Sequence, residues 1–201
     1  MQRQYREFRD KLAEGTILLF RLGDFYEVFG HDAEVAAKVL GLTLTKRHET
    51  PMAGLPHHAA PAYVNRLLAA GWKVAICDQL EAPVAGKLVR RGLTRILTPG
   101  TALEDSQLDS RRGNYLAALC WDKQGWHAAW LDVSTADFRL ASDSSPSRLL
   151  PLLHSVSPRE IILPEGLEPS AADREALEVF LQGRAVSRLP GWNFDGAAGA
   201  R

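Results

Sequence analysis

Cysteine is nearly absent from this sequence: two occur in 201 residues, Cys77 and Cys120, set in the apolar runs VAICD and AALCW with no CxxC spacing and no accompanying histidine cluster. Thiols so placed read as reduced core residues, and nothing supports a disulfide framework. Long apolar runs are missing too. The longest cover a few residues, against the roughly 20 needed to cross a bilayer. The residues after Met1 (Gln, Arg, Gln, Tyr) lack the charged and apolar regions of an export signal. A cytoplasmic location is the resulting expectation. The sequence contains no GxxxxGK[ST], GxGxxG, HExxH or GxSxG motif, so no catalytic, cofactor-binding or metal-binding residue is expected. Among six histidines only His57 and His58 are adjacent; with no third ligand at useful spacing, they read as a loop or helix start. What is present, 46% apolar and 8% aromatic residues, excludes disorder and fibres. The length suits one large domain or two small ones.

Basic and acidic side chains balance at 24 each, but unevenly along the chain. Residues 1–112 hold 16 basic and 13 acidic side chains, and residues 113–201 hold 8 and 11. Between Lys38 and Arg95 nine basic residues meet only Glu49, Asp78 and Glu81. Such a window is the footprint of a phosphate-binding surface, although a solvated face produces the same count.

Tyr5, Phe8 and Leu12 recur at helical spacing, predicting an amphipathic helix over Gln2–Glu14 that stops at Gly15. Strands are expected at Thr16–Leu22 and Phe25–Phe29, joined as a hairpin by Gly23-Asp24. A helix over Asp32–Leu40 stopped by Gly41, a short strand Leu42–Thr45, and a turn-rich polar loop from Lys46 to Pro56 follow. A helix near Ala60–Ala70, a buried strand Trp72–Cys77, a loop around Pro83–Gly86 and a strand Leu88–Leu97 complete an α/β or α+β domain over residues 1–100, a mixed sheet with flanking helices.

The Pro99-Gly100 break and the polar stretch after it mark a linker over 101–112. Strands at Tyr115–Trp121, Trp126–Val133 and Asp137–Ala141 open a second domain, 113–201. A helix capped by Ser145 with Pro146 in its first turn runs to Ser155, then come strand Glu160–Leu163, helix Ala171–Leu181 and strand Ala185–Leu189. The order βββαβαβ is ribonuclease-H-like. The aperiodic tail after Gly191 reads as a cut, so this domain is expected to be truncated. A two-metal nuclease on such a fold would need converging acids, for which Asp132, Asp137 and Glu160 are the candidates; architecture alone does not supply that chemistry.

The most informative stretch is GDFYEVF, residues 23–29. In an extended chain Phe25, Glu27 and Phe29 share one face and Tyr26 and Val28 the other. Two readings remain open. Phe25 and Glu27 are an incidental exposed pair opposite a Tyr26/Val28 core face, or Phe25 is an aromatic wedge that inserts between base steps and kinks the duplex. A mispaired step, already partly unstacked, yields to a wedge more easily.

GDFYEVF (23–29), LTKR (44–47), PMAGLPHHA (51–59), AICDQLE (75–81) and RILTPGT (95–101), followed by NYLAAL (114–119) and LDVSTADFRL (131–140), resemble in the same order the amino-terminal and connector domains of the bacterial MutS family of DNA mismatch-recognition proteins. The resemblance runs from about Tyr5 to Phe194. It implies that Phe25 stacks on a mispaired base while Glu27 hydrogen-bonds to it. It also implies a non-catalytic ribonuclease-H-like connector and duplex DNA with a mismatch or small loop as partner. Through the family it suggests MutL contact by the connector and a cytoplasmic, nucleoid-associated site of action. The family's ATP- and Mg-dependent ATPase, which also dimerises it, has no counterpart here, so an amino-terminal fragment, monomeric and without cofactor, is expected. Within the basic window Lys46, Arg47, Arg91 and Arg95 are the candidates for phosphate contacts, with Met52 packing near the groove. Two readings from other classes stand beside this one: a metal-dependent nuclease working through Asp132, and a protein-interaction adaptor anchored by Phe25.

Overall fold

A computed structural model describes residues 2–81, 89–101 and 113–195. The chain divides into two compact units, Met1–Thr98 and Pro99–Arg201. The loop expected at Pro83–Gly86, most of the 101–112 linker and the end of the tail lie outside the described residues.

The first unit is built on a sheet of six strands in the order β3-β4-β2-β1-β5-β6. These are β1 (Thr16–Leu22), β2 (Phe25–Phe29), β3 (Thr45–Arg47), β4 (Thr50–Pro56), β5 (Lys73–Gln79) and β6 (Arg91–Leu97). Only β1 and β5 run parallel, and residues 57–72, which include α3 (Ala60–Ala69), connect β4 to β5. Helices α2 (His31–Leu40) and α3 pack on one face of the sheet. Their buried side chains, Ala33, Ala36 and Leu40 from α2 and Val64, Leu67 and Leu68 from α3, complete a core with Ile17, Leu19, Val28, Leu55 and Val74. Gly41 ends α2 in the left-handed conformation, φ 69°, which a residue without Cβ adopts freely. On the other face α1 (Gln2–Arg9) lays Tyr5 into a cluster with Leu18, Phe20, Phe29, Ala75 and Cys77. The Tyr5 ring meets Phe29 edge-on at 4.9 Å and Phe20 at 5.7 Å. The Cys77 thiol is pushed up to about 12 by burial, as befits an unreactive core thiol.

Three local expectations shift. The first helix ends at Arg9, because Lys11 and Leu12 bond back to Phe8 and Arg9 and tighten the chain into three-residue turns. The short strand falls at Thr45–Arg47 instead of Leu42–Thr45. The segment read as a polar loop from Lys46 to Pro56 contributes β3 and β4, with β4 seated between β3 and β2. Its turn-forming residues mislead because Pro56 ends the strand and Pro51 lies near its start, just beyond the last β2–β4 pair, Phe29 with Met52. Proline is tolerated at strand ends because the lost N–H interrupts little of the ladder.

The second unit follows the expected order: β7 (Tyr115–Trp121), β8 (Trp126–Asp132), β9 (Asp137–Asp143), α4 (Pro146–Val156), β10 (Glu160–Pro164), α5 (Ala171–Leu181) and β11 (Ala185–Leu189). Its five strands lie in the order β11-β10-β7-β8-β9, antiparallel among β7, β8 and β9 and parallel among β7, β10 and β11. This is the ribonuclease-H-like arrangement. Ser145 caps α4 by accepting from the Ser147 N–H at 3.2 Å. Leu149, Leu150 and Leu153 of α4 and Leu177 and Phe180 of α5 close over Leu119, Trp126, Trp130, Ile161 and Leu163.

Candidate nucleic-acid interface

The β1–β2 hairpin presents Phe25 at its tip. Gly23 takes φ 58°, a left-handed value that makes the tight turn inexpensive. The turn is held from below, since the His57 N–H donates to the Asp24 carbonyl at 2.8 Å and the His57 ring lies 5.5 Å from the Tyr26 ring. Tyr26 faces the helical side, where its hydroxyl donates to Asp78 Oδ1 at 2.8 Å and the Thr94 hydroxyl donates to Asp78 Oδ2 at 3.2 Å. Burial, assisted by the Asp78 bond, pushes the Tyr26 phenol up to about 12, so it remains a donor across the neutral range. A buried, hydrogen-bonded residue on one side thus fixes the direction of its neighbours on the other.

Those neighbours are Phe25 and Glu27. Phe25 is 49% exposed, a large share for a phenylalanine in a regular strand. Glu27 pairs in register with Phe20 on β1 and Gly54 on β4. Its side chain is only 17% exposed, and its Oε2 accepts from Arg47 Nη1 at 2.6 Å. The register of β3 on β4 matches Thr45 with Met52 and Arg47 with Thr50. Phe25, Glu27, Phe29, Met52, Gly54 and Arg47 therefore share one face of the sheet, because paired residues point the same way.

Lys46 and Arg95 do not gather there. Lys46 pairs with Pro51 and Arg95 with Ile76, which places both on the helical face, on the two edge strands β3 and β6. Lys46 is exposed and lies 3.6 Å from Glu49. Met52 is half-buried and packs against the aromatic cluster around Tyr5 and Phe29.

Arg91 requires correction as a phosphate candidate. It is 8% exposed, lies 5.0 Å over the Phe20 ring, and donates to the Arg21 carbonyl at 2.8 Å, to Gln4 Oε1 at 3.1 Å and to the Val89 carbonyl at 3.1 Å. A guanidinium spent on three internal acceptors fastens β6 and α1 to the sheet. Charge in a sequence window does not distinguish a buried arginine from a displayed one. Arg91→Ala is expected to lower unfolding stability by about 2–3 kcal/mol, since charge-assisted bonds are lost and the Arg21 carbonyl loses its donor. Urea denaturation of the variant checks this.

In the second unit each carboxylate weighed for metal chemistry has internal donors. Asp132 accepts from the Ser134 hydroxyl at 2.6 Å and from the backbone N–H groups of Ser134 and Asn114 at 2.9 and 3.1 Å, bonds that hold its carboxyl below the usual range. Asp137 accepts from Arg139 and from the Tyr115 hydroxyl, both at 3.1 Å. Glu160 accepts from the Gly100 N–H at 3.1 Å and from the Ser187 hydroxyl. Among the described residues no group of three or more His, Cys, Asp or Glu could hold a metal ion, and no helix is long and apolar enough to cross a membrane.

Sequence reasoning missed the Glu27–Arg47 pair, the Tyr26–Asp78–Thr94 network and the role of His57. No spacing signals them, since each joins segments brought together by strand pairing.

Fold and site together define a two-unit α/β chain: a mixed-sheet unit displaying an aromatic ring beside a paired carboxylate, followed by a ribonuclease-H-like unit. The family model of MutS domain I matches residues 1–106, and that of MutS domain II matches residues 114–200. The DNA mismatch repair protein MutS of Thermotoga neapolitana is 40% identical over 195 residues, spanning 96% of this chain and 23% of its own. That of Pseudothermotoga lettingae is 42% identical over 198 residues, spanning 98% and 23%, and that of Myxococcus xanthus 40% over 200 residues, spanning 97% and 22%. The chain belongs to the MutS family, and it spans about 23% of the length of these relatives.

Proposed function

We propose that the first unit recognises mispaired or unpaired bases in duplex DNA, with Phe25 as the stacking wedge and Glu27 as the hydrogen-bonding partner of the displaced base. The observation carrying this reading is the exposed Phe25 ring at the tip of a hairpin braced from its opposite face, with Glu27 on the same side. A wedge must be exposed to enter the stack and rigid enough not to fold back. It costs a few kcal/mol of unstacking per step, least where pairing is already broken. The names of the relatives, DNA mismatch repair proteins, agree with this assignment.

Binding, not catalysis, is the role assigned to this chain. The sequence carries no GxxxxGK[ST] phosphate loop, and no ATP- or Mg-dependent step is assigned to this chain. The second unit serves as a connector through which MutL is contacted, the chain acts as a monomer, and its place of action is the bacterial cytoplasm. The test is titration of one labelled duplex, with and without a G·T mismatch, at two salt concentrations. Tighter binding of the mismatched duplex supports the reading. Equal binding of both contradicts it, and salt-insensitive binding of a protein without affinity for DNA favours the adaptor.

Lys46 and Arg95, on opposite edge strands, serve as phosphate contacts in this reading. Lys46→Ala and Arg95→Ala should each weaken matched and mismatched duplexes alike and reduce the slope of log K against log salt by about one unit, because phosphates carry no sequence information. A changed mismatch preference at constant matched affinity would contradict that role.

A further inference from the structure

Glu27 and Arg47 are twenty positions apart in the chain and meet only because β4 lies between their strands. Glu27 faces Gly54 and Arg47 faces Thr50, so the side chains reach toward each other diagonally, across two strand spacings of roughly 10 Å in all and along a stagger of four residues on β4. The position beside Glu27 on β4 is Gly54, which sets no side chain directly against the carboxylate; the nearest neighbours a Cβ would meet there are the Tyr26 carbonyl at 3.8 Å and the Phe25 ring at 3.9 Å, and Met52 is the β4 residue of the same face that lies between Gly54 and Thr50. The arginine donates to Oε2 at 2.6 Å, and Glu27 Oε1 has no hydrogen bond among the described residues. A carboxylate only 17% exposed and set beside Phe20 needs such a partner.

We propose that Arg47 is a positioning residue for mismatch reading: it grips one oxygen of Glu27 from the Phe29 end of β2, so that the other oxygen is held in one orientation for a mispaired base. This rests on the reading of Phe25 and Glu27 given above and deepens it. A glutamate side chain without a partner samples several rotamers and is pushed away by nearby phosphates. Pairing lessens both handicaps before DNA arrives, since the rotamer is restricted and the negative charge is partly offset. Arg47 then acts on specificity, which sets it apart from Lys46 and Arg95, whose contacts are indifferent to sequence.

The experiment compares affinities for a G·T duplex and its matched counterpart at one low salt concentration, using the whole chain with Arg47→Gln, Arg47→Lys, Glu27→Gln and the double substitution Glu27→Gln/Arg47→Gln. Arg47→Gln should lower the ratio of mismatched to matched affinity about three- to tenfold. Arg47→Lys, which keeps a cation able to pair with Glu27, should hold the ratio within about twofold of the wild type. In the Glu27→Gln background, Arg47→Gln should leave the ratio unchanged. Thermal melting monitors folding, and Arg47→Met, which keeps the aliphatic stem on the sheet, replaces Arg47→Gln if that variant melts early. A ratio unaltered by Arg47→Gln, with both affinities lowered equally, overturns the proposal and makes Arg47 a phosphate contact. A ratio that rises overturns it as well and makes the pair a mask over the carboxylate. A Phe25-dependent preference that ignores Arg47 sinks this inference alone. A wild-type chain with no mismatch preference sinks the functional reading and this inference together.

Discussion

Phe25→Ala is expected to abolish most of the preference for mismatched over matched duplex while leaving the fold intact. Stacking of a base on an aromatic ring is worth about 1–3 kcal/mol by alanine substitution, which corresponds to roughly 5- to 150-fold in affinity. The ring at position 25 is half in solvent and is not among the residues of the Tyr5–Phe20–Phe29 cluster, so its removal costs little packing. Far-UV circular dichroism and the melting temperature should match the wild type. Loss falls on the mismatched duplex, because a paired and stacked step admits the wedge poorly in the first place. If the wild-type ratio of affinities survives the substitution, Phe25 and Glu27 are an incidental exposed pair and the wedge assignment fails.

Glu27→Gln and Glu27→Ala should change affinity in the opposite sense on matched DNA. A carboxylate beside phosphates is repelled, by about 1 kcal/mol at short range in water, and it offsets that only where it accepts a hydrogen bond from a base. Removing the charge also releases Arg47, now bonded to Glu27 Oε2, to meet the duplex. Matched affinity is therefore expected to hold or rise, up to about fivefold, while the gap to mismatched DNA narrows. Equilibrium titration of both duplexes with wild type and variants under one salt condition checks this. Matched affinity that falls with the substitution would mean that Glu27 supports the duplex interface by another route.

Local patterns carried the fold a long way and the site only part of it. The three strands opening the second unit, the Ser145 cap and the Gly41 stop are written in contiguous residues, so alternation and capping chemistry reveal them. The segment holding β3 and β4 is not, because its two prolines and Gly54 argue for a loop and only pairing with β2 makes it sheet. The same distinction holds at the site. That Phe25 and Glu27 share one face was legible from alternation within seven residues. The partner of Glu27, the brace under Tyr26 and the burial of Arg91 depend on contacts between segments 20 to 87 positions apart. A count of basic residues between Lys38 and Arg95 could not separate Arg91, spent on internal carbonyls, from Lys46 in solvent.

The most direct test of the central claim reads the base stack itself. A duplex carrying 2-aminopurine next to a G·T mismatch, and its matched counterpart, are titrated with the wild-type chain and with Phe25→Ala while base fluorescence is followed. Insertion of the ring unstacks the step, so the account predicts a fluorescence change with the wild type on the mismatched duplex, little on the matched one, and its loss in Phe25→Ala. The same signal from both duplexes, or its persistence without the ring, would contradict the assignment of Phe25 as the residue that reads the mismatch.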